Sequence, residues 1–140
     1  MLRARPTSAI LAAAAALGLG ACGTATVTPN SYSGPGRAVA QTVADLQSAS
    51  QGHDSKRICR DLLSSTVVSK MNATAGGCPS VITRQLNEVD SYDLSLAGAP
   101  SISGASATAR VTTTSARKTR TNTLGLVLEG GRWRISTLSG

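Results

Sequence analysis

The chain is poor in aromatic side chains and in histidine. Among its 140 residues there is no Phe, and the aromatic residues are Trp133, Tyr32 and Tyr92, with His53 as the one His. The aromatic platforms on which nucleic-acid bases stack are therefore missing, and we predict no nucleic-acid partner. The hydrophobic core must be built from Leu, Val, Ile and Ala, with Trp133 as its largest member.

Residues suited to metal binding or catalysis are also scarce. His53 follows Gly52 in a predicted loop, and no two Cys residues have the CxxC spacing of a zinc site. Only 7 residues are Asp or Glu, and the hydrophobic pattern places Asp45, Asp93 and Glu129 on the surface or at a turn. We therefore predict no metal, no cofactor and no catalytic residue, and we expect a non-enzymatic protein.

No hydrophobic run reaches the ~20 residues that a membrane-spanning helix needs. The longest is the 13-residue stretch 9–21, which Arg3 and Arg5 precede and Cys22 follows. A positive flank, a short apolar run and small residues before the cleavage point are typical of a signal peptide, which we predict over residues 1–21. Its removal lowers Lys plus Arg from 14 to 12 against 7 Asp and Glu, which leaves a net charge of +5.

The leader ends in Leu19, Gly20, Ala21 and Cys22, and this ending resembles the lipobox of bacterial lipoprotein signal peptides. The resemblance implies cleavage before Cys22 and a diacylglyceryl group, with fatty chains such as palmitate, on its thiol. One acyl chain gives only reversible attachment, whereas two anchor stably. We therefore expect the protein to be held through diacylglyceryl-Cys22 at the outer face of the cytoplasmic membrane. A plain secretory signal with another cleavage site is the alternative.

The cysteine count fits that location. Three Cys are present, an odd number that would leave one unpaired in a secreted protein. If Cys22 carries lipid, Cys59 and Cys78 remain, and an extracytoplasmic location favours a disulfide between them. A closed loop of about 20 residues stabilises a fold by roughly 3 kcal/mol.

The remaining chain divides into a tether and one domain. Residues 22–36 are rich in Gly, Pro, Ser and Thr without hydrophobic periodicity, so we predict a flexible tether that holds the domain off the membrane. A single domain is predicted over residues 37–140, a length that suits one hydrophobic core.

The first half of the domain has the periodicity of helices. Hydrophobic residues recur at helical spacing in three segments. The pattern predicts that Gly52 ends the first segment and that the pair Asp54 and Ser55 caps the second. The second segment continues past Ser64 until Gly76 and Gly77 force a break. The predicted disulfide would join the second helix to the start of the third.

The second half changes to the alternating pattern of half-buried strands. Four strands are predicted, near residues 92–96, 105–113, 124–128 and 133–135. Between them we expect a turn at 98–101, a basic, turn-like run at 116–122 and a tight hairpin at Gly130 and Gly131. A sheet with one apolar face needs a cover, which the amphipathic helices supply, so the predicted fold is α+β with the helices first.

Three features of the domain resemble small members of the nuclear transport factor 2-like superfamily. They are the Cys-bearing helix 57–63, the Gly-Gly-Cys break at 76–78 and the C-terminal hairpin 126–135. In that superfamily a curved antiparallel sheet wraps around an N-terminal helix to form a cone. The resemblance implies N-terminal helices packed on a curved four-stranded antiparallel sheet here. The candidate cavity-lining residues are Tyr92, Leu94, Leu126 and Trp133.

Two groups of basic residues lie in the domain, at 56–60 and at 117–120. An ordinary solvated surface is one interpretation, and attraction to anionic lipid head groups or acidic wall polymers, weakened by salt, is the other. Three functions stay open. We expect a non-catalytic envelope module that contacts a protein partner or a second copy of itself. The alternatives are a cone that binds a small apolar ligand and, as in some superfamily members, an isomerase or cyclase.

Overall fold

The predicted α+β class is confirmed by a computed structural model that describes residues 27–89, 93–115 and 117–139. Helices come first along the chain and an antiparallel sheet follows. One hydrophobic core lies between the helices and one face of the sheet. Within the described ranges, no helix is both long and apolar enough to span a bilayer.

Ordered structure begins before the predicted boundary at residue 37. Val27 is buried in the core, and its N–H donates to Gln47 Oε1 at 3.4 Å. A 3-10 turn at Pro29–Ser31 follows, and the Tyr32 hydroxyl donates to the Gly98 carbonyl at 3.3 Å. Residues 27–36 therefore belong to the domain, because one apolar anchor and these hydrogen bonds hold a segment whose composition predicted a tether.

Helix α1 spans Gly34–Gln51 and lies against the sheet. Val39, Ala40 and Val43 have no exposed surface, which is the hydrophobic stripe that the spacing predicted. Gly52 ends the helix as predicted, and its N–H donates to the Ser48 carbonyl at 3.0 Å.

The second helical segment is interrupted, which differs from the continuous helix predicted past Ser64. Helix α2 (Ser55–Arg57) begins at Asp54, whose side chain caps it as predicted, and continues into a π-helix at Ile58–Leu62. Leu63 is extended and forms a parallel bridge with Ile135 of the sheet, and the Ser64 N–H donates to the Ile135 carbonyl at 2.9 Å. A contact with a distant strand thus overrides the local helical pattern.

Helix α3 (Ser65–Asn72) and helix α4 (Gly77–Asn87) complete the helical layer. The break at Gly76 and Gly77 is confirmed, since both have positive φ, a conformation that glycine adopts readily. The predicted disulfide is also confirmed: Cys59 in the π-helix is bonded to Cys78 in α4, with Cα atoms 6.1 Å apart. It joins the second helical segment to the start of the next.

The sheet has five strands rather than the predicted four, all antiparallel: β1 (Asp93–Leu96), β2 (Ser101–Ser103), β3 (Ser106–Ser115), β4 (Lys118–Glu129) and β5 (Arg132–Ser139). Both β1 and β2 pair with β3, which is followed by β4 and then β5.

Two strand predictions need correction. The turn predicted at 98–101 leads into β2, which escapes notice because three residues cannot show an alternating pattern. The basic run at 116–122 is mostly strand, because Lys118 to Asn122 pair in register with Val111 to Ser115 of β3. The tight hairpin is confirmed, with positive φ at Gly130 and Gly131 as a type I′ turn requires.

Candidate functional site

An apolar cavity of about 340 Å³ lies between the helical layer and the sheet. Every helix except the short α2 contributes side chains to it, together with the π-helix and strands β4 and β5. The lining residues are Leu46, Ser50, Ile58, Leu63, Val67, Met71, Ile82, Gln85, Leu86, Leu124, Ile135, Ser136 and Thr137.

The helical wall follows from simple spacing. Leu46 and Ser50 lie one turn apart near the end of α1, and Val67 and Met71 lie one turn apart on α3. Val67 and Met71 are only half-buried, so α3 borders the opening of the cavity. The helix α3 takes this position because Leu63 pairs with Ile135 and ends the preceding π-helix.

The sheet wall is built by β4 and β5. Leu124 and Ile135 are buried and point into the cavity from the apolar face of the sheet. The pairing register shifts between Gly125 and Leu126, so the two strands are bent at the cavity. A Cβ atom at residue 125 would overlap the side chain of Thr137, another lining residue, and Gly125 avoids this overlap because it has none.

The side chains that line the cavity carry no charge. Among its lining residues in the described chain there is no Asp, Glu, His, Lys, Arg, Cys or Tyr, and the polar members are Ser50, Gln85, Ser136 and Thr137. Buried side-chain nitrogen and oxygen atoms in this part of the protein all have hydrogen-bond partners. The lining can therefore hold a ligand by burial of apolar surface, without requiring the ligand to satisfy a buried polar group.

The residues predicted to line a cone lie close to the cavity without forming its wall. Leu94, Leu126 and Trp133 are buried in the core. Trp133 instead borders a shallower, more polar groove, where its carbonyl accepts a hydrogen bond from Thr42 Oγ1 at 3.2 Å. Tyr92 lies outside the described residues.

The sequence missed the helical part of the lining. Hydrophobic spacing identifies the buried face of each helix, but Val67 and Met71 face the cavity only because of the break before α3. On the sheet, Leu124 and Ile135 share the apolar face with the predicted Leu126, so a search along that face would have reached them.

Two other predicted sites have different outcomes. Cys22, the predicted lipidation site, lies outside the described residues. The Cys59–Cys78 disulfide lies behind the helical wall, because Cys59 follows the lining residue Ile58 and Cys78 is one turn before the lining residue Ile82. The bond therefore ties together two parts of the wall.

Three carboxylates of the described chain make contacts outside the cavity lining. Asp45 forms an ion pair with Arg57 at 3.2 Å, and Asp61 forms one with Arg60 at 2.8 Å. The hydrogen bond from the Arg60 guanidinium lowers the pKa of Asp61 below its ordinary value. Glu129 accepts hydrogen bonds from the backbone N–H and hydroxyl of Ser65, both at 3.1 Å. These contacts are structural.

The two basic groups differ in their surroundings. In the group at 56–60, Arg57 and Arg60 are paired with carboxylates. In the group at 117–120, Arg117, Lys118 and Arg120 are exposed, and the ion pairs of the described chain involve other cations.

Neither the grouping of possible metal ligands nor similarity to known proteins indicates a further site. No three His, Cys, Asp or Glu side chains within the described ranges are grouped for a metal ion. No protein family, curated protein or solved structure matches this chain. The geometry of the apolar cavity is therefore the basis for a functional proposal.

Proposed function

We propose that this protein is an envelope lipoprotein that binds a small apolar ligand in the cavity between its helices and its sheet. Diacylglyceryl-Cys22 holds it at the outer face of the cytoplasmic membrane. The observation that supports binding is the cavity of about 340 Å³ with a lining that is mainly Leu, Ile, Val and Met. Contact with an envelope protein or a second copy, the other predicted role, stays a prediction.

The cavity is open beside α3, and its volume lies within the range of small-molecule sites. Sites for small molecules have volumes of ~300–1,000 Å³, and a dry apolar cavity of ~150 Å³ already holds a molecule of the size of benzene. The volume here suits a ligand roughly twice as large.

The lining favours an alkyl or acyl chain. Most of the deep wall is apolar, with Ile58, Leu86 and Leu124, and Ser50 is a buried polar residue in it. Further hydrogen-bonding groups come from the half-buried Ser136 and from Gln85 and Thr137, both of which are exposed at the protein surface. An alkyl chain would fill the interior while a polar head group stays near these side chains and water.

The disulfide supports the proposed location. A bond such as Cys59–Cys78 persists in oxidising compartments outside the cytoplasm. The lipobox resemblance at residues 19–22 supplies the same location independently.

Binding is tested with the full mature chain, residues 22–140, in which Cys22→Ser prevents lipidation. Titration with cis-parinaric acid, whose fluorescence rises in apolar surroundings, is expected to give saturable binding with one site. The variant Val67→Trp places a large side chain in the opening of the cavity, so we expect binding to weaken at least tenfold.

Val68→Trp is the matched control, because Val68 is the next residue of α3, is also half-buried and does not line the cavity. It is expected to bind as tightly as the parent chain, with both variants checked for folding by circular dichroism. The proposal is wrong if the parent chain binds no alkyl probe, or if the two variants bind equally well.

A further inference from the structure

At the tip of the β3–β4 hairpin, the outer edge of β4 extends past the end of β5. Strand β5 ends at Ser139, which pairs with Thr123, so residues 118–122 of β4 pair with β3 alone. Residues 117–121 are exposed, which means that no helix covers either face of the strand there. The tip is therefore free to meet a surface outside the protein.

This tip is positively charged. Arg117, Lys118 and Arg120, called the basic tip below, lie within four residues, and the sequence contains no Asp or Glu from residue 94 to residue 128. The carboxylate nearest in the strand register is Asp93, which is half-buried opposite Thr114. A positively charged surface whose cations are not paired with carboxylates attracts an anionic partner.

The basic tip lies at the same end of the molecule as the cavity. Arg120 is four residues before the lining residue Leu124 on β4, a separation of about 13 Å along a strand. Ser136 and Thr137, from the final residues of β5, line the cavity at this end.

The N-terminal segment meets α1 at the helical turn that also carries a cavity-lining residue. Val27 is hydrogen-bonded to Gln47, the residue that follows the lining residue Leu46 in α1. The five residue-to-residue steps from Cys22 to Val27 span at most about 18 Å when fully extended. A lipid on Cys22 would therefore hold this end of the domain within that distance of the bilayer surface.

These three observations concern one end of the molecule, and from them we infer that the basic tip docks on anionic phospholipid head groups of the bilayer that anchors Cys22. Docking fixes the orientation of the domain against that bilayer, which is then the nearest source of the apolar ligand. The inference rests on the proposed anchoring and ligand binding. It adds the orientation of the domain and the source of the ligand.

The expected strength follows from the charge. Each Lys or Arg beside an anionic leaflet strengthens attachment about fivefold, so three give on the order of a hundredfold. The attraction acts over roughly 8–10 Å at physiological ionic strength and weakens as salt is added.

The test separates docking from anchoring by using the full mature chain with Cys22→Ser. It is sedimented with vesicles of phosphatidylcholine, with or without phosphatidylglycerol. We expect binding only when phosphatidylglycerol is present, with a decrease as salt rises. The triple variant Arg117→Gln, Lys118→Gln and Arg120→Gln is expected to lose on the order of a hundredfold in vesicle affinity.

A second triple variant, Lys56→Gln, Lys70→Gln and Arg84→Gln, removes the same charge from exposed positions of the helical layer. It is expected to keep most of the vesicle binding. Equal losses in the two variants, equal binding to neutral and anionic vesicles, or tighter binding to soluble polyphosphate, a stand-in for acidic wall polymers, would overturn the inference.

The same samples distinguish this inference from the proposed function. Titration of cis-parinaric acid without vesicles is expected to be unchanged by the basic-tip substitutions, because none of the three residues lines the cavity. Loss of vesicle binding with intact probe binding in the parent chain would refute docking alone. Vesicle binding without probe binding would refute the ligand-binding function alone.

Discussion

At the scale of single residues, the junction before α3 is fastened by side chains from distant parts of the chain. The Ser64 hydroxyl accepts from the Val67 N–H at 3.4 Å and caps the helix. Glu129, at the end of β4, accepts from the Ser65 N–H and hydroxyl. A carboxylate at a helix N-terminus satisfies free N–H groups and interacts favourably with the helix dipole. The sheet thereby fixes the helix that borders the cavity.

Removal of this carboxylate should loosen α3. We expect Glu129→Ala to lower the free energy of unfolding by about 1 kcal/mol, because the Ser65 N–H loses its acceptor. Urea denaturation followed by circular dichroism measures the change. Glu88→Ala is the control, since Glu88 is the exposed residue that follows α4, and it should change the stability by less than about 0.5 kcal/mol. Equal effects of the two substitutions would contradict the capping role.

At the scale of elements, features that depend on neighbouring residues were predictable. The end of α1 at Gly52, the cap at Asp54 and the hairpin at Gly130 and Gly131 depend on backbone preferences within a few residues. The break at Leu63 was not predictable, because it depends on pairing with Ile135, 72 residues later in the chain. The cavity depends on this break, so its helical wall was missed as well.

The disulfide is the element-scale constraint on the cavity wall. We expect the double variant Cys59→Ser and Cys78→Ser to lower the free energy of unfolding by about 3 kcal/mol, because the unfolded chain is no longer restricted by a closed loop. Binding of cis-parinaric acid should also weaken, since the π-helix and α4 are no longer tied together. Urea denaturation and fluorescence titration measure the two effects.

Dithiothreitol supplies the control for this variant. The reductant should destabilise the parent chain and leave the double variant unchanged. A parent chain as stable with the reductant as without it, once loss of the bond is verified by mass spectrometry, would show that the disulfide does not stabilise the domain.

At the scale of the whole molecule, the order of helices and strands was predictable, and the start of the domain was not. Hydrophobic spacing changes from the helical to the alternating pattern between residues 89 and 93, and the α+β class follows from this change. The Gly- and Pro-rich stretch before residue 37 predicted a tether. Residues 27–36 of this stretch are held to the domain, because Val27 is buried in the core. A single buried side chain has no periodicity by which a sequence could reveal it.

The proposed anchor makes a prediction for intact cells. Native protein should fractionate with membranes, and mass spectrometry should find a diacylglyceryl group on an N-terminal Cys22. Cys22→Ser should prevent lipidation, and the protein should leave the lipid-anchored fraction. The Cys59→Ser and Cys78→Ser variant is the control and should remain with membranes, because it keeps the lipidation site. An unmodified thiol at Cys22 in native material would refute the anchor.

The short link between Val27 and the proposed lipid on Cys22 has a consequence for transport. A domain attached in this way diffuses in two dimensions with its lipid and cannot carry a ligand across the cell wall. It can pass a bound molecule only to an acceptor that comes to the same leaflet. Its role would then be that of a membrane-attached binding site, which takes an apolar compound from the bilayer and holds it until an acceptor arrives.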